Sequence, residues 1–321
     1  MRRRLAERLA GARLLLTGAT GFLGANLARR FLDEGVEVHA LARPGSRRWR
    51  LADLEERLVW HTADLLDFPT VRALVAGLSL DFVVHAAAPH GHPSTSEERL
   101  AHLGQHVLGT AHLYEAIGER PACVVLHVGS STEYGAHDVP LSESMALRPS
   151  SYRGAGKAAA AMLAIELSRR QPVTLVRPFS IYGPWEAPER FLPTICRRAR
   201  LDQPLRLTRA GVQHDFVYVD DLVEACCRLL VDDRQRGRIF NLGSGVQTSN
   251  EAAAALVVSL TGSHSSIELD AHPAHAPDTA HWVADLTATE QHLGWRPTVT
   301  LADGLRRFLR WSAEHGAVHG Y

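Results

Sequence analysis

Short runs of apolar and β-branched residues recur along the chain, separated by longer stretches in which apolar positions return every three or four residues. The runs fall at Arg13–Thr17, Glu37–Ala42, 58–61, Phe82–His85, Val124–Val128 and 173–176, the last leading into Arg177 and Pro178. The stretches between them, 25–34 and 99–118 among them, carry helical periodicity. Strands alternating with helices predict an α/β fold of Rossmann type, a doubly wound parallel sheet with helices on both faces. The pattern changes near residue 184, after Tyr182 and Gly183. There 190–201 reads as a helix and 216–219 as a short strand. From Ser249 onward come a helix, a His/Pro-rich loop (270–278) and a closing helix near 301–311. This predicts a dinucleotide-binding domain over 11–183, with 212–245 interleaved, and a smaller C-terminal substrate-binding lobe from 184–211 and 246–321. Ligands of such folds bind beyond the carboxyl ends of the strands, where the strand order reverses.

The first strand runs directly into Gly18, Ala19, Thr20, Gly21, Phe22, Leu23 and Gly24, which open a helix. Glycines at this spacing allow a tight turn and close backbone approach, and the helix N-terminus then faces a pyrophosphate. A nicotinamide dinucleotide is the expected cofactor. A carboxylate at the end of the second strand normally reads the 2′-hydroxyl of NAD(H). Here Arg43 stands there, with Arg47 and Arg48 close behind. A guanidinium suits a phosphate dianion, so NADP(H) is expected over NAD(H), which remains the alternative.

Composition narrows the partners. Thirty-five basic and 35 acidic residues leave no net charge, and no basic patch for nucleic acid is visible. No stretch approaches the roughly 18 apolar residues of a membrane helix. Four cysteines without CxxC spacing agree with a reducing, cytoplasmic setting. The expected partner is a small carbonyl substrate, and a homodimer is compatible with the sequence.

These residues resemble the extended short-chain dehydrogenase/reductase family, which holds sugar-nucleotide epimerases, dehydratases and ketoreductases. The likeness runs through 17–24, Asp64 and Leu65, His85 with Ala86, Ala87 and Ala88, then 130–135, 177–184, 215–221, 241–245 and 293–297. It implies that Asp64 contacts the adenine, that Leu65, Ala86, Ala87, Ala88 and Pro178 line the cofactor, and that Lys157 holds the nicotinamide ribose. It also implies substrate contacts from His90, His92, Ser131, Ser180 and Arg190. Ser130, five residues before Gly135, matches the family's catalytic serine. The Asp-Glu pair of 4,6-dehydratases is absent, Ser131 and Thr132 standing in its place.

The family's tyrosine is missing. Its pattern is YxxxK, but Arg153 lies four residues before Lys157 and Tyr152 lies five before. On a helix at about 100° per residue, positions four apart share a face and positions five apart diverge by about 140°. Tyr152 serves only if the backbone before Gly154 is irregular. His214 and His281 replace two arginines that clamp a diphosphate in sugar-nucleotide members, and His106 replaces an asparagine. A metal site of His272, His275 and His281 is not expected, given their irregular spacing. The leading expectation is therefore a ketoreductase lacking the usual tyrosine. It would act on a bulky natural-product ketone, such as the aromatic polyketide of an angucyclinone in antibiotic biosynthesis, with a phenol of the substrate supplying the proton. The alternatives are a sugar-nucleotide ketoreductase or epimerase using a displaced Tyr152, and a non-catalytic protein that senses the dinucleotide.

Overall fold

The computed structural model describes residues 2–89, 91, 93–118, 123–271 and 279–319. The first half of the chain runs α1 (Arg2–Leu9), β1 (Arg13–Thr17), α2 (Phe22–Asp33), β2 (Glu37–Ala42), β3 (Val59–Thr62), α3 (Phe68–Gly77), β4 (Phe82–His85), α4 (Ser96–Gly118), β5 (Val124–Val128) and α5 (Tyr152–Leu167). Then follow β6 (Val173–Pro178), β7 (Ser180–Tyr182), α6 (Phe191–Arg200), β8 (Leu205–Arg206), β9 (Gln213–Tyr218), α7 (Val219–Val231) and β10 (Ile239–Leu242). The chain closes with β11 (Gln247–Ser249), α8 (Asn250–Thr261), β12 (Ile267–Glu268), α9 (Thr287–Leu293) and α10 (Leu301–His319).

Seven strands form one parallel sheet in the order β10-β6-β5-β4-β1-β2-β3. The unbroken leucines of β1 follow from its central place, because a strand covered on both faces alternates between two apolar environments. Leu14 and Leu16 enter a core with α1, α2 and α7, while Leu15 enters the opposite core with α3, α4 and α5. The order reverses between β1 and β4, whose register pairs Thr17 with His85. The turns after these two strands therefore leave the sheet side by side.

Beyond β6 the chain builds a three-stranded sheet, β11-β9-β7, and a two-stranded one, β12-β8. They share a separate core around Ile195, Phe216, Tyr218, Leu305 and Phe308. The interleaved segment expected at 212–245 divides: β9 joins the small sheet, whereas α7 and β10 return to the large one. The strand expected at 216–219 starts earlier, and Val219 opens α7, whose first turn carries Asp220 and Asp221 where helix N-termini favour acids. The helix expected at 25–34 begins at Phe22, inside the glycine turn, and the strand expected at 58–61 begins at Val59. Asp215, wholly buried, joins the two regions. Its carboxylate accepts hydrogen bonds from Gly245 N (3.0 Å), Ala284 N (2.9 Å) and the Ser244 hydroxyl (2.6 Å). All four cysteines are buried and unpaired.

Candidate active site

The glycine turn is shaped by its neighbours. Gly18 has φ +73°, and a Cβ there would lie 2.6 Å from the backbone of Ala86. A Cβ on Gly24 would overlap the Gly18 carbonyl. Gly21 is different: its only close neighbour is the Gly18 oxygen at 3.2 Å, and the rest of its surroundings are open. No side chain caps α2, so the N–H groups of Phe22, Leu23 and Gly24 lack intrahelical partners. A pyrophosphate fits this cradle, which needs no Cβ on Gly21 and offers unpaired donors at a positive helix end.

Around the turn, Ala86 and Ala87 are half-buried and Ala88 is exposed, with Ala87 N donating to Thr17 Oγ1 at 3.3 Å. Thr20 lends its carbonyl to Arg50 at 3.2 Å. Asp64 is exposed and caps Leu66 N at 2.9 Å; Leu65 is half-buried. Arg43 and Arg47 are exposed and make no ion pair among the described residues. Arg48 is engaged, with Glu55 at 2.7 Å and over the Trp60 ring at 4.1 Å.

Ser130 lies at the mouth of the next strand but one. Its Oγ accepts from the Thr132 hydroxyl at 2.8 Å, and its N–H donates to Glu133 at 2.7 Å. Glu133 also accepts from Arg177 at 2.7 Å, both side chains being almost wholly buried. Arg177 donates on to the Tyr134 hydroxyl (3.0 Å), which donates to Asn241 (2.7 Å). A buried ion pair thus fixes the backbone of the turn that presents Ser130. Ser131 is buried beside it, and Pro178 is buried at the end of β6.

Lys157 reaches the same place from α5. It is buried, and Nζ donates to the Val128 carbonyl at 2.7 Å, two residues before Ser130. Burial first, then the Arg153 guanidinium, pushes it down to about 8, against a smaller pull from Glu133. Buried imidazoles surround it. His85 is driven down to about 3 by burial and by Lys157; it sits between Thr17 (2.7 Å) and Thr110 (2.9 Å). His106 is driven down to about 3 by burial, then by Lys157 and Arg153, and its Nε2 has no hydrogen-bond partner among the described residues. Its ring occupies space beside Gly156, where a Cβ would lie 2.7 Å from Cδ2.

Helix α5 is regular from its first residue. Ser151 caps it, accepting from Gly154 N at 3.1 Å. The irregular backbone that Tyr152 needed is therefore absent. Tyr152 is 51% exposed, its ring under Arg99 at 5.3 Å, while Arg153 occupies the face that bears Lys157. Arg153 is half-buried, forms no ion pair among the described residues and is held below its ordinary value by burial and then by Arg190. Arg190 is exposed at the start of α6. Ser180 lies 3.2 Å from His214 Nδ1, and His214 stacks on Phe191. His281 is exposed. His90, His92, His272 and His275 lie outside the described residues.

The Glu133–Arg177 pair was missed, although Ser130 and Glu133 spell the S-x-x-E capping box. The plainest overlooked mark is compositional. Of the 35 lysine and arginine residues, Lys157 is the sole lysine.

The family model described as the NAD dependent epimerase/dehydratase family matches residues 14–243. UDP-glucuronate 4-epimerase 1 of Arabidopsis thaliana is 26% identical over 336 residues, covering 95% of this chain and 77% of its own length. The solved epimerase Mth375 of Methanothermobacter thermautotrophicus has the same fold, with TM-score 0.90 at 21% identity over 99% of this chain and 96% of its own. MoeE5 in complex with UDP-glucuronic acid and NAD gives TM-score 0.82 at 26% identity, over 94% and 99% of the two chains. The match to the family model over most of the chain, on a sheet that brings the glycine turn to Ser130 and Lys157, places this protein in the NAD dependent epimerase/dehydratase family.

Proposed function

We propose that the chain is a nicotinamide-dependent oxidoreductase of the epimerase type, acting at a secondary alcohol or ketone of a nucleotide-linked sugar. The observation that carries this reading is that the uncapped α2 cradle after β1 and the Ser130 turn after β5, reached by Lys157 from α5, lie at the same edge of the sheet with only β4 between them. The relatives' names, and the nucleotide sugars in the solved complexes, support the substrate class. When bound, the nicotinamide exchanges a hydride with the reacting carbon. Gly18, Gly21, Gly24 and the first turn of α2 would hold the pyrophosphate, and Asp64, Ala86, Ala87 and Pro178 would border the rest. Ser130 Oγ hydrogen-bonds the substrate oxygen and orients it. Arg153, half-buried and without an ion pair among the described residues, favours negative charge developing on that oxygen. Incubation with NAD+ or NADP+ and UDP-glucuronate, UDP-glucose or dTDP-glucose tests this. New sugar isomers or a 340 nm change support it, and inertness toward all of them opposes it.

His214 favours a second reading. Stacked on Phe191 and turned to Ser180, it offers no fixed guanidinium fork for a diphosphate. Reduction of a bulky aromatic polyketide ketone, with a substrate phenol assisting, would need no such clamp. Dinucleotide oxidation with a quinonoid ketone but with no sugar nucleotide would select it. Arg43, exposed and without an ion pair among the described residues, supports NADP(H) over NAD(H) in either case; equal kinetics with the two would refute that preference.

A further inference from the structure

The site has lost the tyrosine of its family, yet alcohol–ketone chemistry still needs a group to take and return a proton. Four observations converge on one residue. Lys157 is buried and spends one hydrogen bond, on Val128, at the root of the Ser130 turn. It makes no ion pair among the described residues. Arg153, one helical turn earlier on the same face, brings a second cation rather than an anion. And in a chain that uses arginine everywhere else, this one position is lysine. Arginine carries the same charge but is never deprotonated, so the exception falls where the proton must move.

We propose that Lys157 is the acid–base group of this site, its Nζ taking the proton from the substrate hydroxyl on oxidation and returning it on reduction, with Arg153 keeping the amine form accessible. This rests on the reading that the chain interconverts an alcohol and a ketone. In the oxidative direction the O–H bond breaks and its proton bonds to the Nζ lone pair. The electron pair left on oxygen closes the C=O bond, and the C–H pair leaves as hydride, accepted by the nicotinamide dinucleotide. Reduction reverses each transfer. A neutral amine keeps two N–H groups, so the bond to Val128 survives deprotonation. The charged and titratable groups facing Lys157 are His85 of β4, His106 of α4, His127 of β5, Glu133 of the serine turn and Arg153 of its own helix. The three imidazoles are held neutral by burial, and Glu133 is committed to Arg177. Burial does most to favour the amine form, and among the neighbours Arg153 adds to it. The direction agrees: Lys157 lies at about 8 instead of 10.5, in the range where enzymic lysines act as bases.

The sole lysine makes the test clean. Lysine labelled with 13C at Cε gives one side-chain resonance, which can be titrated by NMR in the full-length protein without substrate. The expected midpoint lies near 8 in the native chain and moves towards 10.5 in Arg153→Gln. A native midpoint at 10.5, or one that Arg153→Gln leaves in place, overturns the proposal. Lys157→Arg supplies the second arm. It should keep dinucleotide affinity within about threefold while turnover falls on the order of a hundredfold or more; retained turnover overturns the proposal. If Lys157→Arg fails to fold, the titration decides alone. A depressed lysine in a protein inert towards every sugar nucleotide and ketone offered would sink the proposed reaction and support the poised amine.

Discussion

The two ends of the cleft keep their family likeness to different degrees. At the dinucleotide end every glycine stands where backbone meets backbone or ligand, and Gly18, Gly24 and Ala86 leave little space for change. At the Ser130 end, one turn of α5 carries Arg153 four residues before Lys157, and His106 sits beside Gly156. The difference teaches that the shape of the glycine turn is enforced by sterics across the sheet's switch point. On the proposed reading, the acid–base group is held only by which side chain a helix presents, and is therefore free to change.

The largest effect is expected where the two ends are tied together, at the buried Glu133–Arg177 pair. Glu133→Ala leaves Arg177 charged and unpaired in the interior, which typically costs about 3–5 kcal/mol. The denaturant midpoint should fall accordingly; a loss under about 1 kcal/mol would mean that the pair behaves like a surface bridge. Next comes a contrast within the glycine turn. Gly24→Ala forces its Cβ into the Gly18 carbonyl and should destabilise by about 1–3 kcal/mol. Gly21→Val should spare the fold, by circular dichroism, while dinucleotide affinity is lost. Unchanged NADPH and NADH affinity in Gly21→Val would break the assignment of the cradle.

A smaller, graded effect should come from pH. His85, His106 and His127 have folded values well below 6.5, so between 6.5 and their folded values the unfolded chain binds more protons. Their stability contribution is complete above 6.5 and drains away as pH falls. Glu186 opposes them: burial lifts it from 4.5 to about 8, so its contribution grows as pH falls from 8 towards 4.5. His61 is lowered as well, and Glu133, Glu143, Asp215 and Asp220 are raised alongside Glu186, so the histidine contribution is isolated by substitution. His106→Asn should lose less thermal stability than the native chain between pH 6.5 and 5.5. Identical pH profiles for the two would contradict a buried, neutral His106.

Much of this was legible beforehand, for identifiable reasons. The leucines of β1 and the glycines after it are local patterns with one physical solution, and both stand where expected. The helix over 152–157 is regular from Tyr152, because helical geometry is the same in every context. What escaped was pairing across the chain. Nothing local tells Glu133 that Arg177 lies beneath it, or His106 that Gly156 has made room. The expectation of a polyketide ketone leaned on His214 and His281, and absent arginines say what a site lacks without saying what it binds. The Arabidopsis relative is a UDP-glucuronate 4-epimerase, and MoeE5 was solved with UDP-glucuronic acid and NAD.

The account's central claim is that this chain performs its family's redox chemistry without a tyrosine at the reacting carbon. The direct measurement is kcat of Tyr152→Phe against the native protein, with the substrate that the nucleotide-sugar and ketone assays identify. Tyr152 is half exposed and points from the wrong side of α5, so turnover should stay within about twofold and binding should not change. A drop on the order of a hundredfold or more, the usual weight of a proton donor, with binding intact would place Tyr152 at the reacting oxygen and contradict the account.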